Sequence, residues 1–331
     1  MFAMAGLLLP RYRETLDRHL VRSPLHDHVH TGKLAALPAP MTLRPADLAR
    51  LLLLAAIWGG SYAFMRIAAP VLGGIGTAWA RILIAGMLLC LYAAIIGASL
   101  QWKTWWKHYL LIGMMNSAIP FSLIAFAMKS LPANYGAIIN ALSSVFGTLF
   151  AFFMLGEAAS ARKLAGIALG FGGVALLVRL GPIPVTGDVI VATLACTLAT
   201  ACYGFISVYT KKHTTGAPML GLAAGALLIP GVLITPLALP GLPETMPDNT
   251  VILSVLALAI FCSGIAYLLY FRLIRDIGPT RAISVTFLIP VFGTLWGVLF
   301  LHETITLTTI LGGLTIMAGM ALVLGVGAGK R

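Results

Sequence analysis

From about residue 48 the sequence is a series of long apolar stretches broken by short polar turns. Intervals free of Asp, Glu, Lys and Arg run 51–65, 82–102, 108–128, 130–156, 164–178, 189–210, 213–243, 249–271, 282–301 and 304–329. A helix needs about 20 apolar residues to cross the hydrocarbon core of a bilayer. The two shortest intervals reach that length when Arg50, Arg66, Lys163 and Arg179 snorkel toward the interfaces. The pattern predicts ten transmembrane helices near 48–68, 77–97, 108–128, 134–154, 163–180, 188–209, 217–238, 250–271, 281–301 and 307–327. The predicted fold class is an all-α polytopic membrane protein.

The apolar pattern repeats. Val145-Phe146-Gly147-Thr148-Leu149 returns as Val291-Phe292-Gly293-Thr294-Leu295, an offset of 146 residues. At the same offset Glu157 meets Glu303, Gly166 meets Gly312 and Gly173 meets Gly319. With one gap, Trp58-Gly59 aligns with Tyr203-Gly204. The chain therefore divides into a five-helix unit at 48–180 and a second at 188–327. Five is odd, so the second copy starts on the opposite side of the membrane. Inverted repeats of this kind characterise secondary transporters, where two near-equivalent halves exchange roles to give alternating access.

Composition agrees with this picture. Of 331 residues, 60% are hydrophobic and 10% charged, and the mean hydropathy is +0.98. Soluble domains run about 45–50% apolar and 25% charged, so soluble enzymes and nucleic-acid binders are excluded. The net charge of +12 reflects orientation rather than a nucleic-acid partner. With the N-terminus inside, eighteen basic residues lie on the cytoplasmic side, against Arg66, Arg81, Lys129 and Arg179 outside. Cytoplasmic loops carry such an excess, which places both termini in the cytoplasm of a multi-pass protein of the cell inner membrane. Residues 1–47 read as a disordered cytoplasmic tail. Met41 is a natural start, which makes the preceding residues an upstream extension. His26, His28 and His30 form a loose HxHxH read as part of the solvated tail, and no metal or cofactor site is expected.

Several short stretches resemble the EamA family of the drug/metabolite transporter superfamily. They are Trp58-Gly59-Gly60-Ser61, Ala80-Arg81-Ile82-Leu83, Gly156-Glu157 followed by Gly166, and Gly278-Pro279 followed by Pro290, Glu303 and Gly312. The resemblance covers about 48–327. It implies a bundle of ten helices around a central cavity, exporting metabolites such as amino acids. One departure is Ser144, where the family often has the proline kept here as Pro290.

No acidic residue lies mid-span, so the buried carboxylate of a proton relay is missing, as is any base beside a nucleophile. An enzyme is not expected. The four cysteines show no metal-binding spacing. Polar groups inside spans should face other helices or a cavity, because lipid satisfies none of them. The expected substrate-binding residues are Arg81, Trp58, Asn116, Asn140, Tyr203 and Tyr267. Trp58 matches Tyr203 between the copies, and Phe121 matches Tyr267. Two roles are open to Arg81: holding a substrate carboxylate, or else snorkelling or capping nearby helix carbonyls. Glu157 and Glu303 are expected to cap the helices that follow them, and the small residues Gly147, Ala151, Gly293 and Gly297 to serve close helix packing.

The expected function is secondary transport, in the export direction, of a small neutral or zwitterionic metabolite by a monomer or homodimer. The alternatives are a nucleotide-sugar or lipid-type carrier of the same superfamily, and a non-transporting assembly or receptor subunit. A polyanionic cargo would need several cavity cations, and Arg81 is the one good candidate.

Overall fold

The computed structural model describes residues 44–324 apart from Ala159, Leu180, Pro182 and Ile283. The triplet His26, His28 and His30 lies outside the described residues, as does most of the predicted tail. Among the described residues there is no strand. Seven helical runs are long and apolar enough to cross a membrane, and an eighth arises if one bent pair is a single span. The ten predicted spans fall on these runs and on one shorter helix, so the count of crossings is not read off directly.

The first run, α1 (Pro45–Ile95), is 51 residues long. A straight helix of that length would measure about 76 Å, far more than a bilayer. It is in fact two helices, because Gly73 adopts φ 69° and ψ 171°, a conformation that a side chain rarely permits. The chain folds back there. Met65 and Arg81 would stand about 24 Å apart along one straight helix, yet their side chains lie 3.9 Å apart. Helix α1 also begins at Pro45, inside the segment assigned to the tail. Proline at a first helical position lacks only a hydrogen bond that no helix could make.

Next come α2 (Trp102–Ala127), α3 (Ala133–Leu155), α4 (Ala161–Arg179) and α5 (Gly187–His213). Helix α6 (Met219–Leu233) bends by 53° into Thr235–Gly241. Helix α7 (Asn249–Ile277) follows. A short turn at Pro279–Ala282 leads to α8 (Val285–Leu301), and α9 (Leu307–Leu324) ends the described chain.

The duplication is visible in three local features. Helix α2 widens into a π-turn at Met114–Ala118 and α7 into one at Ile260–Ile265, starting 146 residues apart. Gly156 and His302, at the same offset, both end their helices in the left-handed conformation. Glycine contacts then exchange between copies. Gly59 of α1 packs on Gly293 of α8, and its equivalent Gly204 of α5 packs on Gly147 of α3. An added Cβ would lie 2.7 Å from the Gly293 nitrogen in the first case and 2.6 Å from the Gly147 nitrogen in the second. Small residues let these backbones meet, as expected for Gly147 and Gly293.

Helices α4 and α9 show how the copies are oriented. Gly166 lies against Gly319, and Gly173 against Gly312. Position rises along one helix as it falls along the other, so these equivalent helices are antiparallel. Two copies whose matching helices run in opposite directions are inverted repeats.

Candidate functional site

The site is assembled from bends and widened turns. The reversal at Gly73 lays the second arm of α1 beside the first and aims Arg81 across the bundle toward α7. The π-turn of α7 (Ile260–Ile265) meets it there. A π-turn lengthens the backbone hydrogen-bonded loop by one residue and frees a carbonyl locally. Arg81 uses this turn: its Nε donates to Ser263 Oγ at 2.9 Å and one Nη to the Cys262 carbonyl at 3.3 Å. The guanidinium carbon sits 3.8 Å above the Phe121 ring. Such a contact contributes about 2 kcal/mol when desolvated.

Arg81 is 3% exposed and does not snorkel. It donates to the Cys262 carbonyl and also faces a cavity. A charge at the centre of a bilayer costs roughly 2.5–3.5 kcal/mol on insertion scales. Among the described residues no Asp or Glu forms an ion pair with it.

All six residues expected to bind substrate line one cavity of about 50 Å³. Trp58 comes from the first arm of α1 and Arg81 from the second. Asn116 stands in the π-turn of α2, Asn140 at a bend in α3, Tyr203 on α5 and Tyr267 on α7. Asn116 Nδ2 donates to the Tyr267 hydroxyl at 3.0 Å, joining the two copies. Both duplicated aromatic pairs, Trp58 with Tyr203 and Phe121 with Tyr267, belong to the lining.

Other lining residues were not among the six. Tyr62 lies one helical turn beyond Trp58 and so on the same face, a spacing visible in the sequence. Ser263 is the repeat equivalent of Ser117, and its contact with Arg81 needed the π-turn to become evident. Met65, beside the guanidinium, carried no signal at all.

A second cleft of about 730 Å³ runs between α1, α7 and α8. Its walls are largely apolar, including Leu53, Phe64, Phe261 and Phe300, and no charged side chain lines it. Size favours this cleft, but convergent polar groups favour the smaller cavity, which combines a cation, two amides and three phenols.

The two glutamates differ from expectation. Glu303 caps no following helix. It accepts the backbone N–H groups of Ala133 and Asn134 at the start of α3, at 2.5 and 3.0 Å. Glu157 pairs with Lys163 at 3.1 Å. Arg50 bridges Asp47 and Asp276, tying the start of α1 to the end of α7.

A profile of the EamA-like transporter family matches residues 48–179 and again 190–325. The transporter YvbV of Bacillus subtilis is 28% identical over 270 residues, covering 81% of this chain and 88% of its own. Protein PecM of Dickeya dadantii is 25% identical, covering 81% and 88%. A probable amino-acid metabolite efflux pump of Escherichia coli is 28% identical over 220 residues, covering 64% and 73%. A solved crystal structure shares the fold at a TM-score of 0.59 and 20% identity, covering 85% of this chain and 96% of its own. The family consists of transporters rather than enzymes. Two matched copies, antiparallel equivalent helices and apolar spans lead to one conclusion: this chain is a multi-pass membrane protein belonging to the EamA-like transporter family, within the drug/metabolite transporter superfamily.

Proposed function

We propose that the protein exports a small zwitterionic or neutral metabolite, such as an amino acid, by alternating access around the Arg81 cavity. The observation that carries this reading is a guanidinium, 3% exposed, lining a cavity without an acidic partner among the described residues. A carboxylate is the group that such a fork holds best. Asn116 and Asn140 supply amides for a second polar group, and Trp58, Tyr203 and Tyr267 supply aromatic walls. The E. coli relative named as an amino-acid metabolite efflux pump supports the same class.

The cavity is too small for such a molecule as it stands. Ligand sites span about 300–1,000 Å³, against about 50 Å³ here. The conformation is a contracted one, and cargo enters when the halves rock apart. The glycine contacts between α1 and α8, and between α5 and α3, provide smooth surfaces for that movement. The repeat units are 48–180 and 188–327, with ten crossings, both termini cytoplasmic and a monomer or homodimer as the working unit. A single cavity cation argues against a polyanionic nucleotide sugar.

Purified protein in liposomes preloaded with unlabelled amino acids should accumulate the same labelled amino acid by counterflow. Absence of flux across a broad panel of carboxylate-bearing metabolites would favour a non-transporting subunit.

A further inference from the structure

Among the described residues the charges around Arg81 do not balance. Arg50 has Asp47 and Asp276, and Lys163 has Glu157. Arg81 has a hydroxyl, a carbonyl, a thioether and a ring face. These are dipoles and a quadrupole, and none carries net negative charge. A buried ion without a counter-charge is strongly disfavoured in a low-dielectric interior. Arginine has five N–H donors, of which Ser263, Cys262 and Met65 take three.

The cavity beside this guanidinium measures about 50 Å³. A water needs about 10–15 Å³ of space of this kind, so the cavity holds a few bodies of that size. A halide fits there with water beside it, whereas an ordinary amino-acid site is several times larger. We infer that the contracted cavity binds one small inorganic monovalent anion of the halide class at Arg81. That anion and the substrate carboxylate take turns at the same fork. This rests on the reading of Arg81 as the substrate's carboxylate site and adds the coupling. When zwitterionic cargo leaves, the anion takes the place of its carboxylate at the fork, the halves close over a neutral pair, and each exchange moves one net charge across the membrane. The cycle is then an exchange, and no proton-carrying acid inside a span is required.

The test uses the full chain in lipid nanodiscs, melted in rising chloride at constant ionic strength made up with gluconate, a far bulkier anion. Ligand binding to the folded state raises the melting temperature saturably. A rise of roughly 2–6 °C is expected. Arg81→Lys, which keeps the charge, retains the rise; Arg81→Gln loses it; Arg50→Gln, on the far ion network, keeps it. No rise in the wild type, or an equal rise in Arg81→Gln, overturns the inference. If Arg81→Gln does not fold, wild-type proteoliposomes decide. Labelled chloride should enter vesicles preloaded with chloride and not those preloaded with gluconate, and equal entry or none overturns the inference. Amino-acid counterflow indifferent to chloride would remove the anion and leave the transport reading. Chloride exchange without carboxylate flux would do the reverse.

Discussion

Glu303 accepts the backbone N–H of Asn134 at 3.0 Å, so the turn after α8 in the second copy caps the start of α3 in the first. Its repeat partner Glu157 would meet Pro279 and Thr280, the equivalents of Ala133 and Asn134, so one of the two donors is lost. Proline has no N–H to give. Glu157 turns to Lys163 instead, and the two-fold relation is broken at this link.

Removing the Glu303 link should therefore cost more than removing its counterpart. Glu303→Gln loses a charge at a helix N-terminus and weakens two charge-assisted hydrogen bonds, for a loss of about 1–2 kcal/mol. Glu157→Gln breaks a partly exposed pair, for a loss of about 0–1 kcal/mol. Melting curves of the two variants in the same detergent should differ in that order, and equal shifts would count against the capping role.

Arg81 variants separate charge from shape. Arg81→Gln should abolish counterflow of a carboxylate-bearing substrate. Arg81→Lys should retain a reduced rate, because ammonium keeps the charge and loses the planar fork. Wild-type flux in a folded Arg81→Gln protein would show that the guanidinium serves packing alone.

Helix approach at Gly59 and Gly204 leaves no space for a side chain. Gly59→Ala and Gly204→Ala should each lose roughly 1–3 kcal/mol through overpacking against backbone, since backbone atoms stand within 2.7 Å of the added carbon. Gly187→Ala, with nothing within 4 Å, is the neutral comparison. Yields of folded protein and thermal midpoints provide the readout.

Orientation is open to direct test. A reporter active only outside the cell should give signal when fused after Pro184 and none after Lys330. The opposite result would invert the membrane sidedness proposed from the basic residues.

Much of this protein is legible without coordinates. Spans follow from apolar length, because the bilayer imposes one distance on every crossing. The repeat follows from an offset of 146 that carries Gly166 to Gly312 and Glu157 to Glu303. Candidate site residues follow from the cost of polar groups in lipid, which sends Asn116, Tyr203 and Tyr267 inward wherever the helices finally pack. Local rules of this kind depend on composition and on neighbours in the chain. Partnership across the bundle does not. That Arg81 meets Ser263, 182 residues away, depends on the reversal at Gly73 and on the π-turn in α7, neither of which has a hydropathy signature. Glu303 reads locally as the cap of the next helix, and packing gives it to Ala133 and Asn134 instead. Contacts of this sort are decided by which surfaces close-pack, and only the folded chain brings those surfaces together.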